Sequence, residues 1–98
     1  RLEPTRAEYV CNLGVLYEST GDPNQAATQF LRALELGSTD PRVYQSCARV
    51  LVALGRTEEA LRTFRALVES RPGDAAARSV LEALSAPRSA PKRSTDSR

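Results

Sequence analysis

The stretch NLGVLYESTGD, residues 12–22, holds a Leu-Gly pair, a tyrosine three residues later and a Gly-Asp end. A glycine inside a helix costs about 1 kcal/mol relative to alanine, so Gly14 needs a structural reason. A second small residue, Ala48, stands 34 positions later. Small residues at the same phase of two helices indicate points where a neighbouring helix approaches closely. Gly14 is therefore predicted to lie at a helix crossing.

Helix start and stop signals alternate along the chain as far as residue 85. A start is a capping Thr or Asp with Pro or an acidic residue in the first turn, and a stop is Gly or Pro. The starts are Thr5 with Glu8, Asp22 with Pro23, Asp40 with Pro41, Thr57 with Glu58 and Glu59, and Asp74; the stops are Gly21, Gly37, Gly55, Pro72 and Pro87. These signals predict five helices, over residues 5–19, 23–36, 41 to just before 55, 57–70 and 75–85. No strand pattern competes with them, and the short loops imply antiparallel neighbours.

The signals repeat with a fixed period. Pairs of identical residues stand 34 positions apart in the two halves of the chain: Gly21 and Gly55, Ala26 and Ala60, Phe30 and Phe64, Asp40 and Asp74. Such a period indicates stacked helix pairs, because one pair cannot bury its apolar face alone.

This pattern resembles the tetratricopeptide repeat family, whose 34-residue unit has aromatic, Leu-Gly, Tyr, Ala, Phe and Pro landmarks. In the first copy they fall on Val10, Leu13, Gly14, Tyr17, Ala26, Phe30 and Ala33, and in the second on Tyr44, Cys47, Ala48, Leu51, Ala60, Phe64 and Pro72. The resemblance implies an all-α fold in which antiparallel helix pairs form a superhelix. It assigns residues 1–85 to one domain, with repeats at about 7–40 and 41–74 and a C-terminal capping helix at 75–85.

The landmark residues are expected to build one continuous core. Its predicted members are Leu13, Tyr17, Ala26, Phe30, Tyr44, Leu51, Ala60, Phe64, Val80, Leu81 and Leu84. The last helix resembles the family's terminal cap, which offers polar side chains, here Arg78, Ser79 and Glu82, to water.

The family resemblance places function on the concave groove, which is lined by the first helix of each pair. The matching positions are Glu8, Cys11, Asn12, Val15 and Glu18 in the first copy and Arg42, Gln45, Ser46, Arg49 and Val52 in the second. This mixture of charged and apolar side chains suits a partner peptide or helix from another protein. The expected function is therefore protein–protein interaction, as a scaffold or adaptor.

Two further interpretations of the groove stay open. Some relatives hold a partner's C-terminal carboxylate, and Asn12 and Arg42 match two places of that array, although Ser46 stands where a second cation is expected. Alternatively, Arg42 and Arg49 pair with Glu8 and Glu18 across the groove, each exposed pair contributing about 0–1 kcal/mol.

Self-association is the alternative function. Pro4 stands 34 residues before Ser38, where a preceding repeat would place its closing proline, so the chain is expected to be a fragment of a larger protein. Without that repeat, Tyr9, Val10 and Leu13 would lie on a face that has lost its neighbour. A weak homo-oligomer would cover this face.

Composition argues against catalysis and metal binding. The chain has no histidine, its two cysteines are far fewer than the ligands a structural zinc site needs, and no phosphate-binding loop is present. Hence we predict no enzymatic activity, no catalytic residue, no metal and no cofactor. The cysteines, Cys11 and Cys47, are expected to be reduced, which favours the cytoplasm. No apolar run approaches the roughly 20 residues of a membrane span, and no membrane partner is expected.

The C-terminal residues 86–98 are predicted to form a disordered basic tail, because they are rich in Ser, Pro and Arg and have no large apolar residue. Three basic residues around Pro91 are too few to indicate nucleic-acid binding, which we do not expect.

Deletion of residues 86–98 should leave helicity and melting temperature unchanged, because a disordered tail makes no fixed contacts. Circular dichroism melts of the two chains test this. A clear fall in melting temperature would contradict the prediction and mean that the tail docks.

Overall fold

The computed structural model describes residues 6–86, which form five α-helices and no strand. They are α1 (Arg6–Ser19), α2 (Pro23–Glu35), α3 (Pro41–Ala53), α4 (Thr57–Ser70) and α5 (Ala75–Ser85). The all-α prediction is confirmed, and the predicted helix ends agree with these bounds to within one or two residues. Thr5 of the first predicted helix start and the tail beyond residue 86 lie outside the described residues.

Aspartate caps begin three of the helices, as the sequence predicts. Their carboxylates accept hydrogen bonds from backbone amides: Asp22 from Gln25, Asp40 from Arg42 and Asp74 from Ala77. α4 begins differently, since Arg56 occupies the cap position and makes no side-chain cap. Its guanidinium instead donates to both carboxylate oxygens of Glu59, at 2.8 and 3.1 Å.

Glycine ends the helices where the chain must reverse. Gly37 has φ +96°, and the amides of Gly37 and Ser38 donate to the carbonyls of Leu34 and Ala33, each at 3.0 Å. This is the Schellman arrangement, which satisfies the last carbonyls of α2 and turns the chain back along the preceding helix. The same pattern closes α1 and α3.

The helices pack in sequence order, α1 on α2, α2 on α3 and α3 on α4, and α5 contacts both α4 and α3. Most predicted core residues are buried, the largest being Tyr44, Phe30, Phe64 and Leu51. Tyr17 and Leu81 are half-buried and pack on the edge of this core. The prediction that Leu13 belongs to the core is wrong, because Leu13 is half-buried and lies outside the core cluster.

The helix crossing predicted at Gly14 is present. A Cβ atom built on Gly14 would lie 2.8 Å from Cε1 and 2.9 Å from Cδ1 of Phe30, a fully buried ring of α2. The ring therefore occupies the volume that a side chain at Gly14 would need. A glycine at this position lowers the helix propensity of α1 but allows α2 to pack directly against the α1 backbone.

Tyr44 connects α3 to both of its downstream neighbours. Its ring meets Phe64 of α4 edge-on, with centroids 5.9 Å apart, and its hydroxyl donates to the Asp74 carboxylate of the α5 cap at 2.6 Å. The same hydroxyl accepts from Arg71 at 3.1 Å, and Arg71 also donates to the Ser38 carbonyl at 3.2 Å. Tyr44 thus ties together α3, α4 and the α5 cap, and Arg71 extends the connection to the loop before α3.

Gly14→Leu should lower the free energy of unfolding by about 1–3 kcal/mol, because the added side chain overpacks the crossing at the Phe30 ring. Gly73→Leu is the control, since Gly73 has no atom within 4 Å of a built Cβ and no positive φ. Urea unfolding measures both. A Gly14→Leu variant as stable as the parent would contradict the assigned packing.

Tyr44→Phe should lower the free energy of unfolding by about 1–2 kcal/mol at neutral pH, because Asp74 loses its phenol donor. That donor holds the pKa of Asp74 below its ordinary value of 3.8. The stabilisation is therefore present above pH 3.8 and is lost as the pH falls through the lowered pKa. Urea unfolding at about pH 7 and about pH 2.5 should show the difference shrinking in acid. Tyr9→Phe, at a largely exposed tyrosine, is the control, and a pH-independent difference would contradict the prediction.

Candidate interaction surface

The first of two pockets relevant to binding lies between the first two helix pairs. It has a volume of about 800 Å³ and is formed by the N-terminal half of α1, the segment 36–40 and the start of α3. Four residues of the predicted groove line it: Glu8, Cys11, Asn12 and Arg42. The structure therefore brings together the two side chains, Asn12 and Arg42, that match the carboxylate-binding array of some relatives.

The guanidinium of Arg42, predicted to pair with Glu8, donates instead to the two carboxylate oxygens of Asp40, at 3.3 and 3.1 Å. This contact holds the pKa of Asp40 below its ordinary value. Asp40 also caps α3, so its carboxylate is fixed by the helix start. A carboxylate ligand at Arg42 would have to compete with this neighbour.

The second pocket lies between α3 and α5 and has a volume of about 310 Å³. Gln45, Arg49 and Val52 of the predicted groove line it. The remaining lining is apolar and comprises Ala48, Val80, Ala83 and Leu84. Gln45 and Arg49 are thus the polar part of a small, otherwise apolar depression.

Sequence reasoning missed the contribution of α5 to this pocket. The 34-residue register contained the signal, because Val80 and Ala83 follow the predicted groove residues Ser46 and Arg49 by one period. Treating the last helix only as a cap concealed its groove-facing positions.

An ion pair joins α1 to the edge of the second pocket. Arg49 donates from Nη2 to Oε2 of Glu18 at 2.7 Å, with 57% and 33% of the two side chains exposed. The predicted pairing of these two residues is confirmed, and solvent screening limits its contribution to about 0–1 kcal/mol. Of the other predicted groove residues, Val15 is exposed and Ser46 is half-buried, and neither lines these two pockets. Their roles stay predictions.

Both cysteines are free thiols in the structure. Cys47 is fully buried, and burial raises its pKa to about 12. Cys11 is half-buried beside the first pocket, and burial raises its pKa as well. Each thiol therefore stays protonated near neutral pH and behaves as a small apolar side chain.

Two kinds of site have no counterpart in residues 6–86. No group of three or more His, Cys, Asp or Glu side chains there is placed to hold a metal ion. None of the five helices combines the length and hydrophobicity that crossing a membrane requires.

Antiparallel helices, a 34-residue register and the close crossing at Gly14 define an all-α helical repeat. The sequence model of the tetratricopeptide repeat family matches residues 4–84, and the chain belongs to that family. A comparison with curated proteins finds no match. Tetratricopeptide repeats generally mediate protein–protein interactions, so the chain is an interaction module whose partners are proteins.

Proposed function

We propose that residues 1–85 form a non-catalytic adaptor domain that binds a peptide or helix of another protein across α1, α3 and α5. The domain comprises repeats at about 7–40 and 41–74 and the capping helix 75–85. Two free thiols suit a reducing compartment, and we place the protein in the cytoplasm.

The pocket between α3 and α5 carries the proposal. Val52, Val80 and Leu84 contribute apolar surface to a depression of about 310 Å³, which can receive one large apolar side chain. Arg49 at the same pocket uses one N–H on Glu18 and has further donors to offer, because a guanidinium carries five N–H groups. A partner with an apolar side chain next to an acidic residue matches this combination.

The first pocket suits the polar part of the same partner. Asn12 supplies an amide that can donate to and accept from a peptide backbone, and Arg42 and Asp40 present a positive and a negative group side by side. Capture of a C-terminal carboxylate is less favoured at this pocket, because Asp40 already binds Arg42. An internal peptide segment fits these groups better than a chain terminus.

A random peptide library displayed on phage should yield ligands that share an apolar residue beside an acidic one. Their affinities are then measured by fluorescence anisotropy against the parent and variants. Arg49→Ala should weaken binding by about tenfold or more, because a charged hydrogen bond is lost. Ala83→Trp should abolish binding by filling the pocket.

Arg65→Ala on α4 is the matched control, since it removes the same charge from an exposed position that lines neither pocket. The affinity of the Arg65→Ala variant for these peptides should equal that of the parent. Ligands insensitive to both groove variants would contradict the proposed surface. A peptide that loses binding when its C-terminus is amidated would instead support carboxylate capture.

Self-association is the second candidate function, and one observation favours it. Tyr9 and Leu16 on α1 are 60% and 55% exposed, which leaves two large apolar side chains in water. The sequence had placed Val10 on this face, but Val10 is buried against the core, and Leu16 is exposed there instead.

A further inference from the structure

α1 carries an apolar stripe on a side of the helix that none of α2–α5 covers. We define this outer stripe as Tyr9, Leu13 and Leu16, which follow one another at spacings of four and three residues and so lie on one helix face. Tyr9 and Leu16 are exposed, and Leu13 is half-buried outside the core cluster.

The repeat register identifies the outer stripe as a packing face. One period later the same positions are Val43, Cys47 and Val50, which are 2%, 0% and 3% exposed on a helix that packs against α2. A further period gives Ala77, Leu81 and Leu84 on α5, which packs against α4. Within residues 6–86, this packing face is thus covered on α3 and α5 and uncovered on α1.

At the other end of the described residues, α5 presents polar side chains. Arg78, Glu82 and Ser85 of α5 are exposed, and one period earlier their positions are held by buried apolar or small residues. Those buried residues are Tyr44, Ala48 and Leu51. The outer stripe of one copy would therefore meet these exposed polar side chains on the corresponding face of α5 in another. Head-to-tail stacking of copies is disfavoured, whereas contact between two outer stripes buries apolar surface on both sides.

Charge favours an antiparallel contact. Arg6 extends the outer stripe by one turn at the N-terminus of α1. Its positive charge is repelled there by the positive end of the helix dipole. The last turn of α1 contains no basic residue. In an antiparallel pair, Arg6 of each copy comes to the C-terminal end of the other helix, where a positive charge is stabilising.

We propose that two copies associate through their outer stripes, with α1 packed antiparallel against α1 about a two-fold axis near Leu13. Tyr9 of one copy then packs against Leu16 of the other. The contact is isologous, because both copies use the same surface, and assembly therefore stops at the dimer. This proposal rests on self-association as the second candidate function and specifies its surface and symmetry.

Sedimentation velocity of the full chain over a hundredfold concentration range tests the association. We expect a monomer–dimer equilibrium with a dissociation constant in the micromolar range. Leu16→Lys should raise that constant by about a hundredfold, because each dimer loses two buried leucines. Val15→Lys is the matched control, since Val15 is 52% exposed at the adjacent position but lies about 100° around the helix. Circular dichroism should show that both variants stay folded.

Disulfide formation tests the geometry in a Cys11→Ser background. Tyr9→Cys mixed with Leu16→Cys should give a cross-linked dimer on mild oxidation, whereas each variant alone should cross-link far less. Leu13→Cys alone should cross-link with itself, because it lies next to the axis.

Monomers at every concentration would overturn both self-association and the proposed geometry. A dimer weakened equally by Val15→Lys and Leu16→Lys, or oligomers that keep growing with concentration, would overturn the geometry while leaving self-association standing. Peptide binding in the groove is measured on separate variants and does not depend on either outcome.

Discussion

The Tyr44 side chain holds together the part of the molecule on which the second pocket depends. Its ring packs against Phe64, and its hydroxyl lies between the Asp74 carboxylate and the Arg71 guanidinium. Because Asp74 also caps α5, the contact that orients the last helix is the same one that anchors α3. The same hydrogen-bond network therefore joins the two helices, α3 and α5, that line the second pocket.

The first helix junction lacks this network, and its surface differs accordingly. Val10 stands where the second repeat has Tyr44, so no phenol at that position reaches Asp40, which is the counterpart of Asp74. Asp40 binds Arg42 instead, at the surface. A pocket of about 800 Å³ lies beside this pair. The two junctions thus differ at this repeat position: one has a tyrosine that reaches its aspartate, and the other has a valine and a surface ion pair. The two halves of the proposed groove therefore have different chemistry.

The fold could be predicted almost completely from the sequence, because its determinants are local or periodic. Capping aspartates, glycine stops and the 34-residue register fix helix bounds and neighbours, and Gly14 indicates the crossing. The candidate site was predictable only in part. Arg49 with Glu18 followed from the register, but Arg42 prefers Asp40, a carboxylate two residues away on its own helix start, over a partner on α1. Such competition among nearby charges depends on side-chain geometry, which cannot be predicted from the 34-residue period. Leu13 was assigned to the core from its family position, but only its counterpart Cys47 is buried in residues 6–86, on a helix that packs against α2.

The exposed outer stripe also affects the local unfolding of α1. In a linear repeat each helix pair draws stability from its neighbours, and α1 has a packing partner chiefly on its α2 side. Its backbone amides should consequently exchange with solvent faster than those of α3, which is covered by α2, α4 and α5. A ligand that spans α1 and α3 must hold the less stable helix in place. Part of its binding free energy is then spent on restraining local opening, and occupancy of the groove becomes coupled to the N-terminal order of the repeat.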